Sequence, residues 1–389
     1  MAKCVFCNVE LTAENSANEH IIPNALGGRL KSSSLDCIKC NSEFGEDCDN
    51  ALAKDMNPLA NILGIERERG EPQPIEGLMQ GKKVRLDAEG KPEFGKPEHE
   101  VKKDGNSTQI RVKARSMDEA RRMIEGLARK YPINVDEAMK AAQLQQEYLP
   151  EPIEFKFAHG GDDTFRAVAK MAYLYLKLAL PARALDREAE LIESIKGTRE
   201  NRSVSFLTGE RIVDPAPGQV LHSIVIKSYP AERLLVAYVE LFSVFTFVVL
   251  LSEDCGQDIF EHYVFDPLER QELSSARFQL PNLDRKKLTA LLDTLPSPAA
   301  SIQSRVAGFF KIANERRHKA LFDAIIERAL ARTLMRHPIG TTVTPEMMAE
   351  LSAAVMEELH PFMRRPTDPA TKAGDSTMRF ADESLGAGA

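Results

Sequence analysis

The sequence has no tryptophan, and aromatic residues make up only 6% of its 389 positions. Mechanisms built on a tryptophan platform are excluded. It also lacks an excess of positive charge: 51 lysine and arginine residues face 58 aspartate and glutamate, a net charge of −7. That balance excludes a blanket-basic nucleic-acid binder of the histone type. Long apolar runs are scarce as well. The most apolar stretch, 234–251, contains Glu240 and is rich in Val and Phe, which suits two short buried strands better than a membrane helix. No basic-then-apolar signal segment is seen before Cys4 and Cys7. The expectation is a soluble, cytoplasmic protein.

What is present can fold. Hydrophobic residues are 43% and charged residues 28% of the chain. At roughly 100–200 residues per domain, the length predicts two to four domains. The 6 cysteines are uneven: four lie in the first forty residues, Cys48 follows, and Cys255 stands alone. A disulfide framework would spread them along the chain, so clustering points to metal. Cys4-x-x-Cys7 and Cys37-x-x-Cys40 are two knuckles that together make a tetrahedral four-sulfur zinc site. Four thiolates leave no open position, so this zinc is expected to be structural. Cys48 reads as a small buried residue, because the set is already complete.

The chain divides by composition and periodicity into an α+β protein. Residues 1–58 form a small unit that needs a staple. Residues 59–80, rich in Pro, Gly and charge, read as a linker. Residues 81–150 read as a small α+β domain, with Ser116 and Glu119 opening a helix to about Lys130 and a second helix over 136–148. Residues 151–283 read as an α+β domain: a helix over 164–180, then an antiparallel sheet with strands at 220–226, 234–241 and 244–251. Residues 284–363 read as helical, including 304–336, and 364–389 as a disordered tail.

Between the knuckles lies Glu19-His20-Ile21-Ile22-Pro23, then Gly27-Gly28; Asn41 follows the second knuckle and opens a predicted helix carrying Phe44, Asp49 and Leu52. The order Cys-x-x-Cys, Glu-His-Ile-Ile-Pro, Gly-Gly, Cys-x-x-Cys-Asn resembles the zinc-containing HNH endonucleases of the ββα-metal fold, over residues 4–52. The resemblance implies His20 as the general base that activates water against a phosphodiester. It implies Glu19 and Asn41 as ligands of a catalytic Mg²⁺ or Mn²⁺, distinct from the zinc. Asn41 can equally cap the helix, and Asp49 can be a surface acid. The family often has Asp before the His and many members have His at the end; Glu19 and Asn41 are tolerated variants of these positions. Its middle Asn is replaced by Ser32, Ser33 and Ser34. A strand would send Glu19 and His20 to opposite faces, so an irregular turn is expected there.

DNA is the substrate the resemblance implies, yet residues 1–60 hold five basic and nine acidic residues. Phosphate contacts must come from elsewhere. Residues 101–135 have nine basic and four acidic residues, and Lys102, Lys103, Arg111, Lys113, Arg115, Arg121 and Arg122 are the candidate nucleic-acid surface. Residues 305–336, with eight basic and three acidic, are a second candidate. Both also read as solvated helix faces. Other readings stay open: a catalytically silent zinc-knuckle module that binds nucleic acid or protein, or a nuclease gated by a small-molecule activator of the C-terminal region. A homo-oligomer and a role in bacterial or phage defence stay open with them.

Overall fold

A computed structural model describes residues 2–363, apart from 71, 80, 88–91, 94–96, 105–106, 115, 143–152, 155–159, 210, 295–298 and 338–339. Residues 1–71 and 158–389 belong to one compact unit and 72–157 to another. The tail expected over 364–389 lies outside the described residues.

The N-terminal segment is a hairpin followed by helix. Strand β1 (Glu19–His20) pairs antiparallel with β2 (Lys31–Ser32), Glu19 opposite Ser32 and His20 opposite Lys31. Helix α1 (Ile38–Glu46) follows, breaks at Asp47, and α2 (Cys48–Leu63) continues. The Gly27-Gly28 pair serves packing. Gly27 takes a left-handed conformation, φ 86°, where a Cβ would stand 2.6 Å from Ile65 Cγ2; at Gly28 it would meet the Ile22 carbonyl oxygen at 1.9 Å. The linker expected from residue 59 begins later. Leu59, Ala60, Leu63 and Ile65 are buried, so α2 runs through Pro58 and stops at Gly64 in a left-handed cap. Burial of that apolar face outweighs the proline's helix-breaking tendency.

The second unit contains a three-stranded sheet of β3 (Ile75–Met79), β4 (Lys82–Leu86) and β5 (Pro92–Glu93). A separate hairpin joins β6 (Glu98–Asp104) to β7 (Ser107–Lys113). Helix α3 (Met117–Ala128) begins where expected: the Glu119 N–H donates to Ser116 Oγ at 3.2 Å. Helix α4 (Val135–Lys140) is capped by Asn134 and ends earlier than the pattern predicts; residues 143–148 lie outside the described set.

In the first unit the chain resumes with α5 (Asp162–Ala179) and α6 (Glu188–Ile195). Then β8 (Val204–Phe206), β9 (His222–Tyr229), β10 (Leu234–Leu241), β11 (Phe245–Ser252), β12 (Phe260–Asp266) and β13 (Gln271–Glu272) form an antiparallel sheet. Its order is β13-β12-β9-β10-β11-β8. Helix α5 packs against this sheet on one side and α2 on another, so every residue from Thr164 to Leu176 is buried. An apolar stripe alone would leave one face wet; here even Arg166 and Lys170 are enclosed. Within β10, buried Glu240 accepts the Ile212 N–H at 2.9 Å and the Thr246 hydroxyl at 3.3 Å. Helices α7 (Arg285–Thr294), α8 (Ala299–Leu334) and α9 (Pro345–Met363) complete the unit, with α9 packed along α8. Among the described residues no helix is long and apolar enough to cross a membrane.

Candidate functional site

The knuckles converge. The sulfurs of Cys4, Cys7, Cys37 and Cys40 all lie within 4.8 Å of one another, with Cys7 and Cys37 Sγ 3.7 Å apart. Tetrahedral Zn–S bonds of about 2.3 Å place sulfurs roughly 3.8 Å apart, so the set fits zinc. Asn8 in a left-handed turn, φ 62°, closes the first knuckle with its N–H on the Cys4 carbonyl. Cys37 is the N-cap of α1 and Cys40 lies in its first turn, where the helix dipole favours negative sulfur.

Glu19 and His20 do not need an irregular turn. The pairing with β2 is regular, and alternation sends the two side chains to opposite faces. Glu19 points inward and is buried. Its Oε2 accepts from the Asn41 Nδ2 amide and its Oε1 from Lys170 Nζ on α5, at 2.5 Å. Lys170 also donates to Asp49 Oδ2 on α2 at 2.5 Å. Asn41 is no helix cap: α1 starts at Ile38, which places Asn41 a turn in, facing Glu19. Asp36, just before Cys37, is wholly enclosed beside them.

Charge in this cluster is out of balance. Burial raises the Glu19 pKa, with Lys170 and Asn41 opposing and Asp49 adding to the rise. Burial, then the Glu19 charge, pushes Asp36 up to about 7. For Lys170 burial works against the charge, but Asp49 and Glu19 outweigh it and raise its pKa. Cys48 lies nearby as a buried thiol, pushed up to about 12 by burial.

His20 stands on the other face of β1. Its Nε2 is 3.1 Å from Glu68 Oε2, and the carboxylate also accepts from Lys31 Nζ at 2.9 Å. Arg29 Nη1 is 3.5 Å from Glu68 Oε1. Asn24 fixes this loop by accepting the Glu68 N–H at 2.7 Å. Burial lowers the His20 pKa, with Glu68 working against it, so the imidazole is neutral near pH 7. Lys31 and His20 hold Glu68 well below the usual carboxylate range.

Several of these groups escaped sequence reading. Glu68 falls in the expected linker. Lys170 had one signal: a lone cation in the otherwise apolar run 167–172. Asp36 gave none beyond its place beside Cys37.

The candidate nucleic-acid residues lie in the second unit. Lys102, Arg111 and Lys113 share one face of the β6–β7 hairpin with Glu98 and Glu100. Lys102 is 3.2 Å from Glu100, and Arg121 on α3 is 3.3 Å from Asp136. Arg122 donates to the Asp118 carbonyl. Arg115 and the Lys103 side chain lie outside the described residues. On α8, Arg328 and Arg332 pair with Glu358 and Glu357 of α9, and Arg316 with Glu269. Acids thus interleave with the bases in both segments.

Residues 4–57 match the family model described as HNH endonuclease. The match takes in both knuckles, β1, β2, α1 and most of α2, and it points to a nuclease. No curated protein and no solved structure matches the chain.

Proposed function

We propose that this chain hydrolyses DNA phosphodiester bonds, with His20 as general base and a divalent cation, Mg²⁺ or Mn²⁺, held by Glu19 and Asn41. The meeting of Glu19, next in sequence to His20, with Asn41 carries the reading. The donor set is hard oxygen, as these ions prefer. The cation would offset charge on the phosphate and the leaving oxygen. Glu68 accepts the His20 Nε2 proton, which leaves Nδ1 with a lone pair to take a proton from water. Arg29 and Lys31 pair with the same Glu68 carboxylate that His20 Nε2 faces.

The test is plasmid nicking in Mg²⁺ or Mn²⁺. His20→Ala should lower the rate by about 10²–10⁴-fold, the usual worth of a general base. Zinc content and thermal unfolding should stay as in the wild type. Equal cleavage by the variant would remove the assignment.

A pH profile tests the dyad. Cleavage should fall as pH drops through the His20 pKa, which burial places below 6.5. The Glu68 charge favours the imidazolium, so Glu68→Gln should move the falling limb to still lower pH and slow the plateau. An unmoved limb would separate Glu68 from the base.

One observation favours a second reading. Lys170 already satisfies Glu19, as it would in a catalytically silent zinc module. That reading predicts DNA binding without metal-stimulated cleavage.

A further inference from the structure

Three carboxylates, those of Glu19, Asp36 and Asp49, gather in the interior, and Lys170 is the ammonium bonded among them. It serves Glu19 and Asp49. Asp36 has 0% exposure, and neither of its oxygens makes a well-aligned hydrogen bond; Asp49 Oδ1 is likewise unpartnered. The Asn41 amide bonds Glu19, and the Asp36 carbonyl accepts the N–H of Ala17, two residues before Glu19.

A buried carboxylate without a partner is strongly unfavourable, and native proteins reserve such groups for a purpose. Asp36 has no structural duty to explain it: the N-cap of α1 is Cys37, with no side-chain bond, and the Asp36 carbonyl alone ties to Ala17. The orphaned oxygens of Asp36 and Asp49, enclosed beside the one ammonium that Glu19 and Asp49 share, call for a cation.

We propose that Asp36 is a third oxygen ligand of the cation held by Glu19 and Asn41, with Lys170 as a resident positioning charge that limits the site to one such ion. The proposal rests on the nuclease reading of the same site. Lys170 belongs to a helix buried along its length, so its ammonium stays part of the site and fixes Glu19 Oε1 and Asp49 Oδ2. The remaining faces of Glu19 and Asp36 are left to the divalent ion.

The test is calorimetric titration of the zinc-loaded full chain with Mn²⁺ at neutral pH. The wild type should take up one Mn²⁺ per chain beyond zinc. Asp36→Asn, which keeps the shape, should weaken that binding by about 10- to 100-fold. Its metal-free form should unfold at the same or a higher temperature, because an unpaired buried charge has gone. A merely structural Asp36 would give the reverse pattern: lower thermal stability and unchanged Mn²⁺ affinity. Glu43→Gln, on the exposed side of α1, should bind as the wild type does.

Wild-type affinity in Asp36→Asn would overturn the ligand role, and so would equal weakening in Glu43→Gln. So would a wild type that takes up no Mn²⁺. His20-dependent nicking decides the nuclease reading separately, since Asp36→Asn can bind normally while His20→Ala still abolishes cleavage.

Discussion

Lys170→Met is expected to destabilise the metal-free protein by about 3–5 kcal/mol at neutral pH, the usual consequence of removing one partner from a buried ion pair. Methionine keeps the volume and the apolar stem, so little packing is lost. What is lost is the ammonium that Glu19 and Asp49 share. Lys170 is 2% exposed, so water cannot replace it. Its ammonium also lies 5.1 Å from the centre of the Phe44 ring, a contact that the neutral side chain forfeits.

The pH dependence of this deficit follows from the shifts. The folded pKa of Lys170 is raised, so its contribution is present in full below the ordinary lysine value and is lost only in strong alkali. Glu19 is already raised by burial, and Lys170 is the leading influence holding it down. Without Lys170 it rises further and takes up a proton more readily. A raised carboxylate favours the folded state at low pH and loses that advantage as pH climbs through its folded value. The deficit of Lys170→Met should therefore narrow as pH falls toward the acid range. Chemical denaturation at neutral and acid pH measures this. A variant as stable as the wild type at neutral pH would show that the ammonium does not sit between the carboxylates.

Local chemistry was readable because it depends on local spacing. Two Cys-x-x-Cys pairs announce one ion, and the Glu19-His20 pair between them marks the hairpin. The strands at 234–241 and 245–252 were legible from their β-branched and aromatic residues. Long-range partners were not. Lys170 reaches Glu19 across 151 positions of sequence, and nothing in the N-terminal motif asks for a cation from α5. The register of β1 with β2 overrode the expected kink, because a two-residue pairing already sorts the acid and the base to different faces. The Pro, Gly and charge of 59–80 suggested a linker, while Leu59, Leu63 and Ile65 had enough apolar surface to continue the core. The deficit of positive charge in residues 1–60 is not met beside His20, since Arg29 and Lys31 are already in that count and both pair with Glu68.

Removal of the zinc should have the largest effect. Structural zinc contributes on the order of 10–16 kcal/mol in small thiolate sites. Here the four sulfurs tie the first knuckle to the start of α1. The knuckle also carries Phe6, whose ring packs 4.6 Å from Phe44 and 5.7 Å from Tyr173 of α5. The Tyr173 hydroxyl donates to the Val5 carbonyl at 3.2 Å, and Lys196 Nζ to the Phe6 carbonyl at 2.8 Å. Without a cation, burial raises the pKa of Cys4 and Cys40, so one sulfur of each knuckle remains a thiol and the knuckles lose their common tie. Cys40→Ser, or chelation, should then free Phe6 and the start of α1, and with them Asn41. Amide exchange should quicken across residues 4–46 while β9, β10 and β11 keep their protection, since their core lies against α5 and α7. Cleavage should be lost together with that protection, because Asn41 would no longer face Glu19. Unchanged exchange at 38–46 in the zinc-free chain would mean that packing on α5 alone holds the unit, and the metal would then be dispensable to the fold.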